Sequence, residues 1–192
     1  MPLIHETFFL STLPMAADEA AARRGFERWA EAADPTMRDF AADAKGRQIL
    51  GCLFGNSPFL TQCCLLDPPF LMRLVNEGWA STFAALLHEL HAALDPKADR
   101  ALLMEEMRLL KRRTALTVAL ADIAGLASLE TVTRSLSDFA DGALALSVRH
   151  LLASAAREGE IVLQNEDPAR GSGFIVLAMG KLGGRELNYS SD

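Results

Sequence analysis

Proline follows a capping side chain at four predicted helix starts in this chain, Asp34-Pro35, Ser57-Pro58, Asp67-Pro68 and Asp95-Pro96. No other local feature limits the fold as much. An Asp or Ser oxygen accepts a bond from one of the backbone amides that a helix leaves orphaned at its start. Proline at the first helical position loses nothing, because its missing donor had no partner there. Between these marks Ala and Leu dominate, β-branched residues are sparse, and apolar positions recur at spacings of three and four. The body of the chain therefore predicts helix after helix.

Two predicted helices are long. The first runs from about Lys97 to Gly125, with an apolar face of Leu102, Leu103, Met107, Leu110, Leu116, Ala119 and Ile123. Three adjacent cations, Lys111, Arg112 and Arg113, interrupt it. The second runs from about Ser128 to Gly159, with a stripe of Leu129, Val132, Leu136, Phe139, Ala143, Leu146 and Leu151. Only the short joint Gly125 to Ala127 separates them, and short joints favour antiparallel neighbours, so a helical hairpin or bundle is expected.

The texture changes near Gly159. Gln164 to Gly173 holds Asn165, Asp167, Pro168, Gly171 and Gly173, which is loop chemistry. A continuous apolar run follows, Phe174-Ile175-Val176-Leu177-Ala178-Met179, whose length and β-branched members predict a buried strand. The expected fold class is mainly α: a helical bundle region over 1–159, then the truncated start of an α/β domain over 160–192.

Bulk properties narrow the function. The 192 residues are 50% hydrophobic and 23% charged, a globular composition. A net charge of -6 repels nucleic-acid phosphate, and no basic arm offsets it, so no nucleic-acid partner is expected. No run approaches the ~18 apolar residues of a membrane span. The apolar patch Phe8-Phe9-Leu10 follows His5 and Glu6 rather than a positive leader. Cys52, Cys63 and Cys64 make an odd count with two adjacent, which suggests reduced, buried thiols rather than a disulfide framework. These features together predict a cytoplasmic protein.

Two local clusters point less clearly to a site, and the role of the second stays open. A zinc-protease helix needs histidines four apart, but His91 lies three after His88, and Ala92 stands where the second ligand belongs. Lys111-Arg112-Arg113 could hold an anion, but Glu105 and Glu106 lie about two turns earlier, and a solvated helix face is the plainer reading.

Gly180-Lys181-Leu182-Gly183-Gly184 is more informative. Glycine after a strand lets backbone amides approach phosphate oxygens closely. A Walker loop would need glycine at Ile175 and Ser or Thr at Leu182, and a dinucleotide fingerprint would need glycine at Leu182. On glycines alone, a tight structural turn and a ligand loop stay equally open. Nucleotidyl transfer uses a strand, a Gly-containing turn, a short helix, and a second strand carrying acids at i and i+2. That spacing puts both carboxylates on one face, where they hold divalent metals against phosphates. Gly180 lies twelve positions before Asp192, which suits this layout, with Ser190-Ser191 as the turn and Asp192 as the first acid.

Met179 to Asp192 reads Met-Gly-Lys-Leu-Gly-Gly-Arg-Glu-Leu-Asn-Tyr-Ser-Ser-Asp, which closely resembles the motif of the glutamine synthetase adenylyltransferase/adenylyl-removing family, DNA polymerase beta-like nucleotidyltransferases. In that family the motif continues Ile-Asp-Leu. Leu109 to Arg113, Ala121 to Gly125, Leu136-Ser137-Asp138-Phe139-Ala140-Asp141 and, more weakly, Ser57 to Leu60 are also similar. The resemblance implies AMP transfer to and from a tyrosine of glutamine synthetase, and Glu-Leu-Asn before Ser-Asp resembles the N-terminal, adenylyl-removing half. It implies Mg2+ or Mn2+ as metal, ATP, ADP and phosphate as substrates or products, and glutamine synthetase and the PII signalling protein as partners. Carried over, Asp192 matches the first catalytic and metal-ligand acid, and Gly180, Lys181, Gly183, Gly184 and Ser191 match the nucleotide-binding stretch. Lys181 departs from the Ser or Gly usual in the superfamily. Glu186 and Asn188 match the motif without an assigned role.

On this reading the chain is the front of a larger enzyme, cut inside its motif and inactive alone, with a poorly ordered tail from about Gln164. The alternative is a short helical interaction protein without catalysis.

Overall fold

A computed structural model describes residues 13–32, 34–92 and 99–190 of the chain. Among them the helices are α1 (Glu19–Ala32), α2 (Pro35–Ala42), α3 (Ala44–Asn56), α4 (Pro58–Leu66), α5 (Pro68–Glu77), α6 (Trp79–Ala92), α7 (Arg100–Ile123), α8 (Leu129–Arg157) and the single turn α9 (Gly180–Gly183). The described residues are mainly helical and contain no strand.

The proline marks start helices as expected. Asp34 accepts the Met37 amide at 2.9 Å and Pro35 opens α2. Ser57 accepts the Leu60 amide at 3.2 Å and Pro58 opens α4. Pro68 opens α5, but Asp67 makes no capping bond with its side chain. Asp95-Pro96 and the Phe8-Phe9-Leu10 patch lie outside the described residues. Other caps have no proline to mark them: Asp43 holds the amides of Lys45 and Gly46 at the head of α3, Asp18 accepts the Ala21 amide at 2.8 Å, and Asp99 accepts the Ala101 amide at 3.3 Å at the head of α7.

The described residues form two compact units, Met1–Thr82 with Leu116–Ser128, and Phe83–Ala115 with Leu129–Asp192. In the first, α3 is the core helix: Ile49, Leu50, Leu53 and Phe54 are at most 2% exposed. Aromatic rings gather on it. Phe26 meets Phe54 edge-on at 5.4 Å, and Trp29 lies 6.3 Å from Phe54 and 6.5 Å from Phe40. Offset and edge geometries of this kind suit the ring quadrupoles. Asn56 fastens the segment ahead of α1. Its Nδ2 donates to the carbonyls of Met15 (3.0 Å) and Cys52 (2.8 Å), and its Oδ1 accepts the Ala17 amide at 3.1 Å. All three cysteines are buried, and none is in a disulfide.

In the second unit, Ser147 on α8 reaches the Met107 sulfur on α7 at 3.9 Å. The two residues lie equally far along the chain from Ala127, the register of an antiparallel pair. The predicted apolar faces hold in part. Leu103, Leu110, Val132 and Leu146 are buried, whereas Leu102, Leu129 and Leu151 are 51%, 78% and 55% exposed. On α8 small and polar residues take the inner places instead: Ser135, Ser137, Gly142, His150 and Ala153 are buried. Gly142 sits so close to Leu90 of α6 that a Cβ there would lie 2.6 Å from Leu90 Cδ2. Small residues let two helices approach, and hydrophobicity alone does not reveal that choice. No helix among the described residues is long and apolar enough to cross a membrane.

Candidate functional site

The candidate site is built on α8. From Asp167 onward the chain runs back along this helix in the opposite direction, fastened at both ends. At the first end Arg149 and Asp167 form a fork, Nε to Oδ1 at 3.2 Å and Nη2 to Oδ2 at 3.3 Å. Asp167 Oδ1 also accepts the Ala169 amide at 3.1 Å. Asn165 Nδ2 donates to the Arg170 carbonyl at 2.8 Å, so the loop closes on itself.

The run Phe174 to Met179 follows, and here the strand expectation is corrected. The segment belongs to no ladder, and Ile175, Val176 and Leu177 make no hydrogen bond among the described residues. Nor is it buried. Exposures alternate: Phe174 57% and Val176 49%, against Ile175 75%, Leu177 78% and Met179 84%. The alternation is that of an extended chain with one face turned inward. Phe174, Val176 and Ala178 line a groove of about 270 Å³ with Leu144, Ala145 and Val148 of α8. Composition made this run look like a buried strand, but the described residues include no neighbouring strand to pair with it.

The glycines then build a turn. Gly180 has φ 57, a left-handed value that glycine reaches without a steric penalty. A Cβ on Gly183 would lie 2.5 Å from the Ala178 carbonyl oxygen, so no side chain fits there. The Arg185 amide bonds Leu182 O at 3.0 Å and the Glu186 amide bonds Lys181 O at 2.7 Å, which closes α9 in the Schellman pattern. The left-handed residue of that pattern is Arg185, φ 58, not a glycine, since Gly184 has φ -80.

Arg185 also makes the second fastening. Its guanidinium pairs with Asp138 and, at 3.3 Å, with Asp141, acids one turn apart on α8. Next to them the Leu187 amide donates to Ser137 Oγ at 3.2 Å, and that hydroxyl itself donates to Thr133 O at 2.8 Å. Ser137 is fully buried, so the acceptor end of this bond is shielded from water.

The structure thus brings Gly180, Lys181, Gly183 and Gly184 together on one exposed turn. Ser191 and Asp192 lie outside the described residues. His91 Nδ1 contacts its own helix at Leu87 O, 2.6 Å, and no group of three metal-ligating side chains occurs among the described residues. Lys111 is exposed, with Arg112 and Arg113 half-buried. Sequence reasoning assigned no role to Ser137, Asp138, Asp141, Arg149, Asp167 or Arg185. A helical acid pair at i, i+3 is too common to point at an arginine 44 and 47 residues away.

A second cleft, about 340 Å³, lies in the first unit, where Asp18, Arg24 and Arg28 of the α1 region meet Asn56, Ser57 and Thr61. Its two guanidiniums share it with the Asp18 carboxylate.

The family profile described as "Glutamate-ammonia ligase adenylyltransferase" matches residues 47–192. Curated relatives called "Bifunctional glutamine synthetase adenylyltransferase/adenylyl-removing enzyme" are similar to this chain. One from Rhodopseudomonas palustris is 42% identical over 137 residues, 71% of this chain and 14% of the relative. Those of Bradyrhizobium diazoefficiens and Rhizobium meliloti are 35% and 36% identical over 184 and 182 residues, 93% and 92% of this chain and 18% of each relative. The chain therefore spans less than a fifth of the length of these relatives. No solved structure matches it.

Proposed function

The chain belongs to the glutamate-ammonia ligase adenylyltransferase family, and from that premise we propose that it forms part of an enzyme moving AMP to and from a tyrosine of glutamine synthetase. The observation that carries this reading is the match running through Gly180 to Asp192, a stretch that the structure fastens to α8 at Arg185 and Leu187. Within it the exposed turn of Gly180, Lys181, Gly183 and Gly184, with Ser191, lies against the nucleotide, and Asp192 supplies the catalytic carboxylate. The substrates and products are ATP, ADP and phosphate.

The Glu186-Leu187-Asn188 stretch supports assignment to the adenylyl-removing half, in which phosphate attacks the AMP group on the modified tyrosine, freeing the tyrosine hydroxyl and giving ADP. The PII signalling protein is the regulatory partner of this reading, and the cytoplasm its compartment. Mg2+ or Mn2+ is the metal, with Asp192 as one ligand. The described residues do not by themselves make a metal site. We infer that the isolated 192-residue chain is inactive.

Exchanging the matching segment of the Rhizobium meliloti relative for this chain tests the reading. The chimera is expected to release the AMP group of adenylylated glutamine synthetase as ADP when phosphate is supplied. Asp192→Ala in the chimera is expected to lower release by at least about a hundredfold, the scale of losing a transition-state contact, and to leave AMP attachment intact. An unchanged release rate would remove Asp192 from the chemistry, and loss of attachment instead would assign the segment to the other activity. Phosphate-dependent ADP formation by the isolated chain, abolished by Asp192→Ala, would overturn its inactivity.

A further inference from the structure

We propose that Arg185 is a positioning residue. Its guanidinium, held by Asp138 and Asp141, seats the Gly180–Gly184 turn on α8 and sets the direction in which the chain leaves the turn. Its meaning for AMP transfer rests on the reading above, but the seating itself does not.

The argument starts from the backbone. A left-handed φ is unfavourable for a residue with a Cβ, and glycine is the ordinary occupant of this place in a Schellman turn. Arg185 holds it with φ 58 although Gly183 and Gly184 stand immediately before it. A turn selected only for closure would put a glycine here. Something the side chain does must offset the strain, and the structure shows what: the guanidinium spans two carboxylates one turn apart on α8. Residues at i and i+3 share a helix face, so one planar fork reaches both.

The backbone bond from Leu187 to buried Ser137 lies beside this clamp and completes it. Upstream, Ile175 to Leu177 make no hydrogen bond among the described residues. Direct bonds from the turn to the helix are thus concentrated at one patch, Ser137, Asp138 and Asp141. Each ion pair is about half exposed and weak alone, but they act together, beside the Leu187–Ser137 bond, on a short segment that the Arg149–Asp167 fork already fastens at its other end.

The test uses the 192-residue chain and amide exchange followed by NMR, with Arg185→Gly, Arg185→Lys and Asp138→Asn/Asp141→Asn. Arg185→Gly suits the backbone better but removes the fork. We expect the Leu187 amide to exchange roughly tenfold faster, the scale of two lost half-exposed pairs, and the amide shifts of Gly180 to Gly184 to move. Arg185→Lys is expected to restore part of both signals, and the double Asn variant to match Arg185→Gly. High salt is expected to loosen the wild-type turn in the same way, because exposed pairs are screened. The melting temperature of the helices stays where it is.

Unchanged or slower Leu187 exchange in Arg185→Gly overturns the proposal, because backbone strain would then be the only effect. So does a lysine variant no better than glycine, or a fall in melting temperature that accounts for the faster exchange. None of these readings needs turnover. Failure of the chimera would leave the seating intact, and failure of the seating would leave the chimera result to stand alone.

Discussion

The indole N–H of Trp29 donates to the Met37 carbonyl at 3.0 Å, with the side chain 1% exposed. One residue thus joins α1 to α2 by a polar bond and packs both against α3 through its ring. The magnitudes separate the two roles. A net intramolecular hydrogen bond contributes about 1 kcal/mol, whereas emptying a buried aromatic site costs about 3–5 kcal/mol. Trp29→Phe is expected to lose about 1–3 kcal/mol by urea unfolding, and Trp29→Ala to lose several more. Equal losses in the two variants would mean that the bond, not the ring, carries the contribution.

The two adjacent glycines of the turn are predicted to behave differently. At Gly183 an added Cβ meets backbone, the Ala178 carbonyl oxygen at 2.5 Å, and backbone cannot swing aside as a side chain can. At Gly184 the nearest atom is 3.5 Å away and φ is -80, which alanine adopts freely. Gly183→Ala is expected to displace the amide shifts from Ala178 to Leu187, and Gly184→Ala to leave them in place. Both are expected to melt with the wild type, because the exposed turn adds little to either core. A disturbed Gly184→Ala turn beside an unaffected Gly183→Ala would refute the close approach.

The helices were legible because their signals are local. Asp34 and Ser57 cap the helices that their prolines open, and α7 and α8 fall within three residues of the predicted spans. What periodicity missed is tertiary. Leu129 and Leu151 sit on the apolar stripe yet face water, while Ser137 and His150 lie inside, because packing against neighbours decides which side of a long helix is covered. The turn was visible as a cluster of glycines, but the meaning of each was not. Gly183 is needed for a close approach and Gly180 for its φ, while the remaining left-handed position fell to an arginine. The fastenings at Arg149 and Arg185 join residues 18 to 47 apart, and no spacing rule links a surface acid to an arginine at that separation.

The extended run gives a prediction about dynamics. Ile175, Val176 and Leu177 have exposed side chains and no hydrogen bonds among the described residues, so their amides should exchange at close to the unprotected rate. Amides in the middle of α8 should be protected by orders of magnitude. Arg149→Ala removes the fork at the upstream fastening and is expected to speed tryptic cleavage at Arg170 severalfold, with little change in melting temperature, because half-exposed ion pairs contribute about 0–1 kcal/mol. Strong protection at Ile175 to Leu177 would mean that the run has found a strand partner, in a second copy or elsewhere in the chain.

Cys64 links burial to alkaline stability. Burial pushes its thiol well above the ordinary 9.0, with a further push from neighbouring Cys63, and burial also raises Cys52. Below pH 9 the thiols are protonated in both folded and unfolded chains, so they add no pH dependence. Above pH 9 the unfolded chain releases these protons and the folded chain keeps them, so unfolding is favoured and stability falls. The slope approaches about 1.4 kcal/mol per pH unit for each fully buried thiol. Urea midpoints measured from pH 7 to pH 10.5 are expected to be flat at first and then to decline. Cys64→Ala should start lower, because it leaves a small cavity, and decline less steeply. A thiol reagent at pH 8 should label Cys64 only as fast as the chain unfolds. Rapid labelling of the folded chain at Cys64, or an alkaline decline as steep in Cys64→Ala as in the wild type, would show that this sulfur is not sequestered from water.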